Sequence, residues 1–132
     1  MLCAELNRKI LKLAPKHLAR DIAPNTFKEL ASNTVSGLVV WSGASDKTVY
    51  GDPMVNWAMR AWHDSIHLKI NAEFNSEGEK RVGLEQARLI GSDRLGLILV
   101  AEVIGQVEYF DKYGSFPIDQ VQFVSNYMKG KI

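Results

Sequence analysis

The sequence predicts a mainly α fold, a small helical bundle of four or five helices with a short β-hairpin or ordered loop. Three observations lead there. The chain has 132 residues, 46% of them apolar, which suits one domain with a sizeable buried core. From residue 53 onward the apolar residues recur at spacings of three and four, the period of a helix face. Two short stretches, 38–41 and 48–50, are β-prone, and a Gly/Ser/Asp turn cluster lies between them.

Taken in order, residues 4–22 read as helix. Leu6, Ile10, Leu13 and Ala14 form a stripe that Leu18 and Ile22 continue, and Pro15 ends one turn or opens a second short helix. Asn25 or Thr26 caps a short helix over 27–31. Asp52 with Pro53 behind it is an N-cap followed by proline at the first helical position. The helix that follows, 53–71, carries Val55, Met59, Trp62, Ile66 and Ile70 on one side. Asn75 or Ser76 starts the next, with Ser76 and Glu79 at capping-box spacing, and Gly91 stops it. Asp93 opens a helix over 94–113 that Gly114 ends, and Pro117 opens a last one over 117–129. Residues 1–132 are thus expected to be a single domain: a basic helical segment 1–34, a hairpin or loop 35–52 and a helical core 53–132. Trp57, Trp62, Tyr109, Phe110, Phe116, Phe123 and Tyr127 fall at helical intervals and are expected in the core.

Charge and composition exclude several functions. Sixteen basic residues stand against fifteen acidic ones, so bulk charge does not mark a nucleic-acid binder. Cys3 is the only cysteine, which rules out an internal disulfide. No run approaches the roughly 18 apolar residues of a membrane span. Charges at Glu5, Arg8, Lys9 and Lys12 interrupt any signal-peptide core, so the expected compartment is the cytoplasm. Near neutrality hides one asymmetry: Arg8, Lys9, Lys12, Lys16 and Arg20 face only Glu5 in the first twenty residues, a solvated face or a docking surface.

The chemistry concentrates in His63-Asp64-Ser65-Ile66-His67. Histidines at i and i+4 of a helix stack on one face and can grip one divalent ion. The spacing is that of His-Glu-x-x-His metallopeptidases, with the shorter Asp64 in place of the glutamate that acts as base. The alternative is two partly buried structural histidines. Glu102 sits in the apolar run 97–104, with Gln106 a turn later, and a carboxylate there calls for a partner or a cation. Glu79 and Gln86 share a face of the preceding helix. The expected ligands of a zinc or other divalent ion are therefore His63, His67 and Glu102, with Glu79 as a fourth ligand or a supporting partner. Asp64 would orient or deprotonate a metal-bound water, and Arg60 would pair with Asp64 or hold an anionic substrate group. Gln106 would complete the catalytic set. The polar segment 41–52 before the histidine helix is either a structural hairpin or a lid over the site.

The stretches RAWHDSIHL and IGQVEYF, within residues 39–124, resemble small tailed-phage proteins to which no reaction is assigned. That resemblance implies a protein of the infected host cytoplasm. It adds weight to Arg60, His63, Asp64, His67, Glu102 and Gln106 as a set. Two functions follow as expectations: a metal-dependent hydrolase of a small-molecule or peptide substrate, or an interaction protein that modulates a host protein and whose histidines are structural. A purely structural metal site is a third.

Overall fold

The computed structural model describes residues 3–32 and 37–130. The chain is mainly helical, with a two-stranded β element, as its periodicity predicts. The organising element is helix α3, Pro53–Ile70. Its start is set by Asp52, whose carboxylate accepts from the Met54 amide at 2.9 Å, and by Pro53 behind the cap. It ends at Asn71 in the left-handed conformation, φ 54°, which asparagine tolerates better than most residues.

Helix α3 is buried on two sides. Val55, Met59, Trp62 and Ile66 join the main core with Leu6 and Ile10 of helix α1 (Ala4–Leu13). Ala61 meets a smaller cluster of Leu30, Leu38 and Val40 on the other side, with Trp57 and Leu68 against it. That second cluster belongs to a β-α-β unit: strand β1 (His17–Arg20), helix α2 (Phe27–Ser32) and strand β2 (Leu38–Trp41).

Two expectations for this region are corrected. The helix over 4–22 stops at Leu13, because Ala14 takes the extended conformation that a following proline imposes, and His17–Arg20 becomes a strand. Leu18 and Ile22 consequently leave the apolar stripe and are 50% and 87% exposed. Residues 38–41 do not form a hairpin with 48–50. They pair in parallel with β1, in the register His17 to Leu38 and Arg20 to Trp41. The short helix α2 forms as expected: Thr26 Oγ1 accepts from the Glu29 amide at 3.1 Å, and Glu29 reaches back to the Asn25 amide at 2.9 Å.

Residues 42–52 form an ordered loop tied to neighbouring helices. Trp57 Nε1 donates to Ser42 O, Asn56 Nδ2 to Ser45 Oγ, and Asn7 Nδ2 to Tyr50 O. Val49 and Tyr50 are buried in the core.

Helix α4 (Ser76–Leu89) packs beside α3. The expected helix over 94–113 forms without a break, with a change of winding inside it. Helix α5 (Asp93–Leu99) runs into a π-helical stretch, Val100–Gly105, and then helix α6 (Gln106–Tyr113), which Gly114 ends at φ 76°. Helix α7 (Gln120–Met128) begins three residues later than predicted, because Asp119 caps it, accepting from the Gln122 amide at 2.9 Å. Trp62 and Phe123 are in the core as expected, whereas Phe110 and Phe116 lie at the surface, their rings 4.8 Å apart. None of the described helices is long and apolar enough to cross a membrane.

Candidate metal centre

The site forms where α3, α4 and the π-helical stretch meet. Helix periodicity puts His63 and His67 one turn apart on α3. Glu79, Gly83 and Gln86 share the facing side of α4. A Cβ on Gly83 would come within 2.8 Å of Ile104 and 2.9 Å of Val103, so only glycine lets α4 lie this close to the π-helical stretch. The cap of α4 also matters. Asn75 is the N-cap, accepting from the Gly78 amide at 2.8 Å, one residue earlier than the Ser76–Glu79 capping box requires. Glu79 is therefore released from capping and turns toward α3.

Three donor atoms converge there. Glu79 Oε2 lies 2.6 Å from His63 Nε2 and 3.2 Å from His67 Nε2, and the two Nε2 atoms are 3.2 Å apart. Both rings are oriented from behind. His67 Nδ1 donates to Ala72 O at 2.8 Å, and a carbonyl can only accept, so the tautomer is fixed. His63 Nδ1 lies 2.8 Å from Gln86 Oε1, while Gln86 Nε2 points at Met59 Sδ. In its neutral form each imidazole thereby directs an Nε2 lone pair to the same point, the arrangement in which histidines ligate metals, and in its protonated form it donates from Nε2 to Glu79 instead. Two metal–ligand bonds of about 2.0–2.1 Å at angles of 90–109° span about 2.9–3.3 Å. Two edges of the triangle have that length, and the third opens by a few tenths of an ångström.

The electrostatics follow from this packing. Burial would hold the His63 pKa down, but the Glu79 carboxylate, helped by Gln86 and Asp64, lifts it above the ordinary histidine value. Burial likewise works to raise Glu79, and the hydrogen bonds from the two imidazoles overcome it and bring its pKa down to about 2. Burial pushes Asp64 up to about 6 against the opposing pull of the nearby imidazoles and Arg60. Glu102 is raised too, by burial first; the buried Tyr50 hydroxyl faces its carboxylate without closing a direct hydrogen bond.

A cavity of about 880 Å³ opens over the cluster, and His63, Asp64, Glu79, Glu102 and Gln106 all reach its wall. The fully buried His67 closes the back. All the sequence-predicted residues thus belong to one neighbourhood, but their expected roles shift. Glu79, not Glu102, meets the two histidines; Glu102 stands further along the cavity wall and is outside the convergent group. Arg60 forms no ion pair with Asp64 among the described residues. Its Nη1 donates to the carbonyls of Trp41 and Gly43 and to Ser45 Oγ, and the guanidinium packs 5.3 Å from the centre of the Trp41 ring. Segment 41–45 is therefore wrapped around Arg60 as a fixed wall of the cavity.

Sequence reasoning assigned no role to Trp41 or Tyr50 and saw Gln86 only as a neighbour of Glu79 on its helix. For Gln86 a signal existed: an amide at i+7 from a candidate ligand, on the buried face of a helix. The chain matches no family model, no curated protein and no solved structure.

Proposed function

We propose that the chain is a metal-dependent hydrolase, with a divalent ion, zinc foremost, held by His63 Nε2, His67 Nε2 and Glu79 Oε2. One observation carries this reading. With both Nδ1 atoms turned to oxygen acceptors, the neutral imidazoles and the Glu79 carboxylate would set three acceptor atoms facing one another within 2.6–3.2 Å. Such a triangle repels itself unless a cation, a proton or a metal ion, sits among the three atoms. Two imidazoles and one carboxylate, with a cavity on the open side, are the donor set of a catalytic zinc site. The same set also suits non-haem iron, so metal analysis is the deciding measurement.

A bound ion would supply an acidified water and a polarised substrate carbonyl. The protein's own part is positional. Gln86 and the Ala72 carbonyl hold the tautomers, His67 seals the back of the site, and Asp64, on the same cavity wall, accepts the proton of the attacking water. On the resemblance to phage proteins, the substrate would be a small molecule or peptide of the infected cell.

Purification without chelators is expected to yield one divalent ion per chain by plasma mass spectrometry. Hydrolysis of 4-nitrophenyl acetate should disappear on chelation and return with the metal. Protein that stays metal-free after incubation with zinc and with iron(II) would overturn the reading. A second expectation concerns Gln86. Gln86→Leu keeps the buried volume but removes the acceptor behind His63. Metal affinity should fall about 10–100-fold, measured by competition with a chromophoric chelator. Unchanged affinity would show that Gln86 serves packing alone.

A further inference from the structure

The cavity above the cluster has a pronounced division of character. Its inner wall is acidic: Asp64, Glu79 and Glu102 all reach it, and Asp21 stands near the mouth. Among the described lining residues, Arg60 is the one lysine or arginine. That guanidinium is covered by the Trp41 ring and anchored by the loop carbonyls, so little of it faces an incoming anion. The mouth, by contrast, is apolar and aromatic. Ile22, Pro24, Trp41 and Phe116 line it, and Trp41 and Phe116 are 50% and 55% exposed. Each ring has a close neighbour. A Cβ on Gly43 would overlap the Trp41 indole, and Phe116 rests on Phe110. Exposed aromatic and apolar residues gathered at one cavity mouth, rather than scattered singly, mark a binding site.

From this placement we infer that the cavity binds an organic cation with a flat apolar body, its amine or amidinium group directed at Glu102 and its body seated between the aromatic residues of the mouth. An ammonium or amidinium finds there the counter-charge that the protein itself does not provide. An aromatic face adds cation–π attraction to the apolar contact. With no ion bound, a phosphorylated compound would bring two further negative charges into a wall of carboxylates, without a free lysine or arginine to receive them. The inference rests on the metal-centre reading only in making the occupant a substrate; the binding itself depends on the cavity alone.

The test is calorimetric titration of the protein freed of metal with benzamidine, benzyl alcohol and phenyl phosphate, with tryptophan fluorescence as a second readout. Benzamidine is expected to bind most tightly and phenyl phosphate most weakly. Glu102→Gln should weaken benzamidine about tenfold and leave metal binding unchanged. Asp21→Asn, at the exposed mouth, should weaken it about twofold and gives a second reading if the first variant folds poorly. Phenyl phosphate binding as tightly as benzamidine, no binding of benzamidine at millimolar concentration, or benzamidine affinity unaltered in both variants would each overturn the inference. Loss of metal binding with the benzamidine preference intact would instead count against the hydrolase reading and leave this one standing.

Discussion

His67→Ala is expected to abolish metal binding and, with it, the stabilisation that metal confers. His67 is fully buried, and of the proposed ligands its orientation is least adjustable, because its Nδ1 is held by the Ala72 carbonyl at 2.8 Å. An ion at a hundred times its dissociation constant stabilises the native state by about 2.7 kcal/mol, which for a chain of this size raises Tm by about 10 °C. That increment should be present in the wild-type protein and absent in the variant. The variant should also lose stability without metal. It leaves a cavity beside Phe74, whose ring centroid is 4.7 Å from that of the imidazole, and an unpaired buried carbonyl that costs about 1–3 kcal/mol. Glu79→Ala separates the two effects, since Glu79 is partly exposed and supports no core contact of this kind. It should still fold, less stably because the two imidazoles lose the carboxylate they face, and show no metal-dependent rise in Tm. A rise of full size in Glu79→Ala, followed by differential scanning fluorimetry, would sink the ligand assignment.

What could be read from the chain beforehand divides along the range of the interactions involved. Helix α3 was legible because its signals are local: Asp52 and Pro53 at its start, and an apolar stripe of fixed period. The histidine pair was legible for the same reason, since i and i+4 share a face whatever else the chain does. The choice between Glu79 and Glu102 was not. Both lie on helices with a face toward the core, and which one reaches the histidines depends on how α4 and the π-helical stretch are rotated against α3. That rotation is set by Gly83 against Ile104 and Val103, by the Asn75 cap and by the π-helical register of 100–105. Only the cap is written locally, and the sequence offers Ser76 as an equally good candidate for it. Strand β1 was misread because Leu18 and Ile22 extend the stripe of α1 by chance. Its partner, Leu38–Trp41, lies about twenty residues away, and a four-residue strand is too short to show its own period. The resulting β-α-β unit is what brings Trp41 to the cavity. The aromatic mouth was therefore hidden for the same reason as the strand.

Asp64→Asn is expected to leave one metal ion per chain and to lower the turnover of 4-nitrophenyl acetate by about 10²–10⁴-fold, the usual contribution of a positioned general base. The substitution conserves shape and removes the proton acceptor. Asp64 is not one of the three convergent donors, so the ion should remain, whereas Glu79→Ala should lose ion and activity together. Asp64 follows His63 directly on α3, and the helix would therefore carry the proposed ligand and base as one rigid piece. A side chain one methylene shorter than the glutamate of metallopeptidases has less reach, and here the reach required is small, because His63 and Asp64 line the same cavity wall. Asp64→Glu tests that point: the longer chain keeps the carboxylate but pushes it into the cavity, and part of the activity, below that of the wild type, should remain. Equal activity in all three proteins would mean that bound water needs no base from Asp64. A variant that loses its metal would move Asp64 from the role of base to that of ligand. Retained metal, lost turnover in Asp64→Asn and partial turnover in Asp64→Glu together would identify Asp64 as the proton acceptor of the reaction.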